Sequence, residues 1–238
     1  MSSSPKTAVI AGVGPALGSS LCHAFANDGY KVAGLSRHSE PISSPVQALN
    51  HDLDRFVSLS ADLTSQDQVE AAFAQIEREL PPLRIAVYNV AKFHAAPFAQ
   101  IRAEDFEACW RAGAYGALLF AKAALPLILA AGGGSMIFTG ATASVRGGNG
   151  FAAFAAAKFA MRGLVQSLAR EYGPQGVHVV HTLIDGKIAR SASSVKAKLG
   201  EEDAIDPDDL ARLYVNLAHQ PPSSWTQELD VRPASEKY

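Results

Sequence analysis

Short apolar runs alternate with longer stretches of helical spacing along almost the whole chain. Residues 7–11 form a compact apolar run. Residues 15–28 then carry Leu17, Leu21 and Phe25 at one-turn spacing, and Gly29 closes that helix. The same alternation predicts strands at 31–35, 56–59, 84–90, 135–139, 177–183 and around 225–231. Helices are expected at 65–80, opened by Ser65 as its cap, at 103–129 with an interruption at Pro126, at 151–172, and at 208–219 behind the Pro207 start signal. Residues 39–54, with Pro41 and Pro45, read as irregular with room for a short helix.

Near-continuous apolar strands separated by helices imply a parallel sheet buried on both faces, the doubly wound α/β architecture. No repeat or linker divides the chain, so residues 1–238 are expected to form one domain.

Composition narrows the class of partner. Hydrophobic residues make up 48% of the chain and charged residues 18%, against about 25% charged in an average soluble chain. A disordered chain is excluded, and apolar surface remains for an oligomer interface. The net charge of −2 comes without any Lys/Arg run, which argues against a nucleic-acid partner. The apolar part of the N-terminus is broken by Gly12, Gly14 and Pro15, so it does not read as a secretion signal. No apolar run approaches the roughly 18 residues of a membrane span, and a cytoplasmic location follows as the expectation. Cys22 and Cys109 have no metal-type spacing and read as small buried apolar residues.

The first candidate chemistry lies between the first strand and the first helix. Gly12, Gly14, Ala16, Leu17 and Gly18 occupy that turn, where glycines let backbone N–H groups approach a pyrophosphate at a helix N-terminus. A dinucleotide site of this kind usually places an acid after the second strand, to accept from the adenosine ribose. Here the strand ends in Ser36 and Arg37. Ser36 removes the carboxylate that would repel a 2′-phosphate, and Arg37 can pair with one, so NADP(H) is preferred with NAD(H) possible. Asp62 and Leu63, after the third strand, are placed to meet the adenine, although a helix-capping loop explains Asp62 equally well.

These residues, in this order, resemble the short-chain dehydrogenase/reductase family, from Thr7 to about Val231. The 88–91 segment, with Asn89 and Ala91, stands where the family has an Asn-Asn-Ala-Gly-like stretch, and Gly132, Gly133, Gly134 and Ser135 lead into the fifth strand. The resemblance implies a Rossmann-like, mainly parallel sheet of about seven strands, a nicotinamide dinucleotide, and a homodimer or homotetramer. It also adds Asn89, Ala91, Lys158, Gly186 and Ile188 to the cofactor residues, with a small carbonyl or alcohol as the unidentified substrate.

The family's proton-transfer groups are largely absent. Its catalytic Tyr, four residues before the Lys, is Phe154 here; its Ser, thirteen residues earlier, is Ala141; its relay Asn is Gly113. Lys158 remains. The Pro-Gly after the sixth strand becomes Asp185-Gly186, and a usual Thr becomes Arg190. The resemblance therefore implies an oxidoreductase with a non-standard proton donor, or alternatively an inactive dinucleotide sensor or regulatory subunit. Thr142, Ser144, His94, Tyr88 and Tyr115, near the strands' C-terminal edge, are the candidate substitutes; Thr142 can orient a carbonyl, but its hydroxyl is too weak an acid to replace the phenol unaided.

Other side chains have simpler readings. His178 and His181 lie three apart on a strand and face opposite sides, so no metal is expected. Asp52 and Asp54 read as solvated loop charges. Arg146, on the loop that borders the family's substrate pocket, is a surface Arg or a contact for an anionic substrate. Phe151, Phe154 and Phe159 read as packing residues, with Phe154 directed toward the pocket.

Overall fold

The computed structural model describes residues 4–37, 55–189 and 204–235. Its elements run β1 (Thr7–Ala11), α1 (Leu17–Asn27), β2 (Lys31–Ser36), β3 (Phe56–Ser60), α2 (Gln66–Glu79), β4 (Leu83–Tyr88), α3 (Ala103–Trp110), α4 (Gly116–Ala130), β5 (Gly134–Thr139), α5 (Ala152–Tyr172), β6 (Val177–Ile184), β7 (Lys187–Ile188), β8 (Ala204–Ile205), α6 (Pro207–Ala218) and β9 (Glu228–Val231). Seven strands make one parallel sheet in the order β3-β2-β1-β4-β5-β6-β9. The strand order reverses between β1 and β4, and a doubly wound sheet opens a crevice at such a switch point.

Alternation along the strands builds two cores. Ala8 and Ile10 face α1 and α6, whereas Val9 and Ala11 face α2, α4 and α5. All of β6 is buried, as a strand covered on both faces must be. Burying that many apolar side chains, at about 25 cal/mol per Å² removed from water, is the main force holding the layers together.

The structure differs from the sequence reading at the long apolar helix. The break falls at a π-helical turn, Arg111–Tyr115, and not at Pro126, which sits inside α4. Pro126 and Lys122, whose carbonyl loses its helical donor, are both exposed, so the proline is accommodated on the solvent side of the helix. The π turn has an internal cause. The buried Tyr88 hydroxyl donates to the Ala112 carbonyl at 2.6 Å. Gly116 makes room for it, since a Cβ there would stand 2.4 Å from that oxygen.

The 28-residue helical stretch Ala103–Ala130 is long and apolar enough by composition to match a membrane span, contrary to expectation. In the fold, Ala117, Phe120, Ala124 and Ile128 of this stretch are buried core residues on the sheet. Smaller differences are end effects: α1 starts at Leu17, β4 stops at Tyr88, and Ser65 precedes α2 without a side-chain capping bond. Residues 39–54, including Asp52 and Asp54, and Arg190 lie outside the described residues.

Candidate active site

Among the described residues, two cavities at the C-terminal edge of the sheet adjoin the candidate chemistry. The first, about 740 Å³, is lined by Gly12, Gly14, Ser36, Arg37, Asp62, Leu63, Asn89 and Ala91, among others. Gly12 has a left-handed φ of 86°, and a Cβ there would stand 2.6 Å from the Asn89 carbonyl. Asn89 Nδ2 in turn donates to the Gly12 carbonyl at 3.3 Å, tying the ends of β1 and β4 together. Gly18 is packing: a Cβ there would meet the Gly12 carbonyl at 2.4 Å. Gly14 is the opposite case, with no atom within 4 Å of its Cβ position. That open space beside the start of α1 is a cradle of the kind a pyrophosphate fills, and the residues present fit a dinucleotide.

The remaining expected cofactor residues, Ala16, Leu17, Gly186 and Ile188, do not line this cavity. Ala16 precedes α1, and Leu17 is buried in the core beneath the loop. Ile188 is half-buried against the core on α1 and α6. Gly186 lines the second cavity. Asp62 Oδ1 accepts from the Thr64 backbone N–H and hydroxyl, both at 2.9 Å. The Thr64 backbone donor holds this carboxyl below its ordinary range, with further help from the Thr64 hydroxyl, Arg37 and Arg111. This oxygen therefore closes the turn that precedes α2 and does not cap the helix, whose first flanking residue is Ser65.

The second cavity, about 330 Å³, is lined by Ala141, Thr142, Arg146, Phe151, Phe154, Asp185 and Gly186, among others. Phe93 packs edge-on against Phe151 and Phe154, with centroids 5.8 Å and 5.3 Å apart, so one wall is aromatic. Lys158 lies behind Phe154, its Nζ 5.7 Å from the ring centroid and donating to the Thr139 carbonyl at 2.7 Å. Burial brings this ammonium down to about 8. Gly113 offers no group to the site: a Cβ there would meet the Ala157 Cβ at 2.9 Å.

Thr142 faces the second cavity and donates its hydroxyl hydrogen to Asp185 Oδ1. Asp185 Oδ2 is paired with Arg232 at 3.3 Å. The sequence reading noted Asp185 only as a replaced Pro. That replacement was the available signal, since an acid in a loop bordering the pocket is hard to explain by packing.

Of the other candidate donors, Tyr88, Tyr115 and Ser144 are committed elsewhere. Burial pushes the Tyr88 phenol well above its ordinary range. Tyr115 stacks on Trp110 beneath the Arg111 guanidinium. Ser144 is buried, accepts from the Ala141 N–H at 3.1 Å and meets His181 Nε2 at 3.2 Å. On the far side of that ring, Glu228 Oε2 stands 3.4 Å from His181 Nδ1 and accepts from Arg162 at 2.6 Å. Burial lowers His181 to about 4, with the Glu228 carboxylate opposing. His178 stacks on Trp225 at 4.9 Å. His94 is half-buried, and its Nε2 has no hydrogen-bond partner.

A family model described as short chain dehydrogenase matches residues 6–190. Sorbitol-6-phosphate 2-dehydrogenase of Escherichia coli (strain K12) is 27% identical over 216 residues, covering 89% of this chain and 83% of that protein. Carbonyl reductase family member 4 of Danio rerio is 25% identical, covering 91% and 92%. The crystal structure of a short-chain dehydrogenase from Rhodopseudomonas palustris superposes with a TM-score of 0.83 at 32% identity, covering 96% of this chain and 98% of the other. An alcohol dehydrogenase from Thermococcus sibiricus complexed with 5-hydroxy-NADP, 21% identical, shares the fold with a TM-score of 0.87 over 99% of both chains. A sheet of this order, a glycine cradle at its switch point and a family match over most of its length make this chain a Rossmann-type nucleotide-binding protein. It belongs to the short-chain dehydrogenase/reductase family, a family of oxidoreductases that use a nicotinamide dinucleotide.

Proposed function

We propose that this chain is an NADP(H)-preferring oxidoreductase that acts on a small alcohol or carbonyl without the family's Tyr. The observation that carries the cofactor half is the open cradle at Gly14 together with Ser36 and Arg37 at the end of β2. A 2′-phosphate there would meet the Arg37 guanidinium, with Ser36 standing where a ribose-binding acid is usual. The bound nicotinamide supplies or accepts the hydride. Lys158, on α5 behind Phe154, would hold the nicotinamide ribose, and Phe151 and Phe154 give the substrate cavity an apolar wall. The deciding experiment titrates NADPH and NADH against the protein by fluorescence, then screens the complex for turnover of alcohols, aldehydes and ketones. Tight NADPH binding with turnover supports the enzyme; equal binding of both cofactors removes the NADP(H) preference.

A second reading, a dinucleotide-binding sensor or regulatory subunit, is favoured by Gly113, where Ala157 occupies the space a relay Asn would need. NADPH binding without turnover on any carbonyl or alcohol selects it. In either case we propose a homodimer or homotetramer, because Leu118 of α4 and Phe159 of α5 are exposed on otherwise core-forming helices. Light scattering at micromolar concentration tests that assembly, and a monomer would refute it.

A further inference from the structure

The hydroxyl hydrogen of Thr142 is given to Asp185, and this direction fixes what Thr142 can offer the cavity it lines. With its hydrogen turned to the carboxylate, Oγ1 presents lone pairs. It can accept a hydrogen bond and cannot donate one. A carbonyl oxygen brought to this position meets an acceptor; an alcohol brings its own donor. The two residues come from loops after different strands, β5 and β6, and the Arg232 pair fixes the carboxylate from a third, after β9. Asp185 and Arg232 side chains are only 15% and 23% exposed, so water competes weakly for these contacts.

We propose that Thr142 and Asp185 form a proton-accepting pair that selects an alcohol substrate and takes its proton, in place of the absent phenol. This rests on the nicotinamide reading above. Thr142 is the catalytic residue, touching the substrate oxygen, and Asp185 is the positioning residue behind it. In the step, the carbinol C–H bond breaks and its hydrogen leaves as hydride to the oxidised nicotinamide, which takes both electrons. The substrate O–H proton passes to Thr142 Oγ1 while the Thr142 proton passes to Asp185 Oδ1. The C–O bond becomes C=O, and Asp185 later releases its proton to water. Alcohol and oxidised dinucleotide thus yield carbonyl, reduced dinucleotide and one proton.

The cavity sets the shape of the alcohol. About 330 Å³ with an aromatic wall suits a secondary alcohol carrying one aryl ring. Among the described residues, the charged groups around Asp185 are Arg232, which pairs with it; Asp230, which shares Arg232; and Arg146 on the same cavity. Lys158 lies behind Phe154.

The test uses the full chain with 1-phenylethanol and ethylbenzene, which share a shape and differ by the hydroxyl. In the unreactive complex with NADPH, followed by cofactor fluorescence, wild type should bind the alcohol about tenfold more tightly than ethylbenzene. Thr142→Val and Asp185→Asn should lose that preference and keep their NADPH affinity. With NADP+, oxidation of 1-phenylethanol should fall about tenfold or more in both variants, whereas Thr142→Ser should retain most of it. The acid limb of the oxidation profile should vanish in Asp185→Asn, an effect that a merely structural role does not produce. An unchanged acid limb in Asp185→Asn, equal binding of the two probes, or no oxidation by NADP+-loaded wild type each overturns the pair. Failure of wild type to bind NADPH removes the cofactor reading, and the pair falls with it.

Discussion

Lys158 points its ammonium at the face of Phe154, 5.7 Å from the ring centroid, where the family's chemistry would require a phenol hydroxyl. The ring is therefore already positioned beside the cation that lowers a phenol's pKa in the family. Phe154→Tyr with Ala141→Ser adds one hydroxyl to each of two side chains that line the cavity. Ketone reduction by NADPH should rise by about one to three orders of magnitude in the double variant, the scale of a positioned general acid. A double variant slower than wild type on every carbonyl would show that the native donor depends on the unmodified wall.

Replacing Arg37 by Ala should weaken NADPH binding by about 1.5 to 3 kcal/mol and leave NADH nearly unchanged. Calorimetry with both cofactors reads the difference directly. Parallel losses for the two would assign Arg37 to general electrostatics around the cavity.

Lys158→Met tests whether that buried ammonium serves function more than stability. Its carbonyl partner, Thr139, loses a donor, at about 1 to 3 kcal/mol, while removal of a buried charge offsets a similar amount. The expected outcome is an unfolding free energy within about 1 kcal/mol of wild type and NADPH affinity reduced about tenfold or more. A collapse in stability would make Lys158 a structural residue first.

Acid should weaken the fold through His181. The folded state keeps this ring neutral down to about pH 4, whereas the unfolded chain protonates it near pH 6.5. Between those values the unfolded state holds more protons, so stability falls as pH drops, by about 3 kcal/mol at most from this group. Denaturation curves at pH 4.5, 5.5 and 6.5 should show a flatter slope for His181→Gln than for wild type.

The sheet was readable because its strands are unbroken apolar runs; β1, β2, β5 and β6 fall within a residue of their expected ends. The helix break was not, because its cause is a long-range contact: the Tyr88 hydroxyl on β4 claims a carbonyl 24 positions away. Local rules favour Pro126, and they do not register that Pro126 is exposed. The turn after β1 was legible from Gly12, whose left-handed φ and close approach to Asn89 require glycine. Asp185 was legible only as an oddity. Its partner Thr142 lies 43 positions away, and only folding brings the two together.

A last prediction concerns Gly113 and carries a wider consequence. Gly113→Asn alone should destabilise the protein by about 1 to 3 kcal/mol, because its Cβ would stand 2.9 Å from that of Ala157, and Ala157→Gly should recover part of the loss. Thermal unfolding of the two single variants and the double variant measures the coupling. The contact works as a ratchet on sequence change. Phe154 and Ala141 are each one substitution from a family-like group, but the relay position is reachable only after Ala157 has shrunk, a step that by itself opens a void between helices and adds nothing to activity. Selection for faster turnover would therefore find improvements at the cavity wall well before it could rebuild the relay.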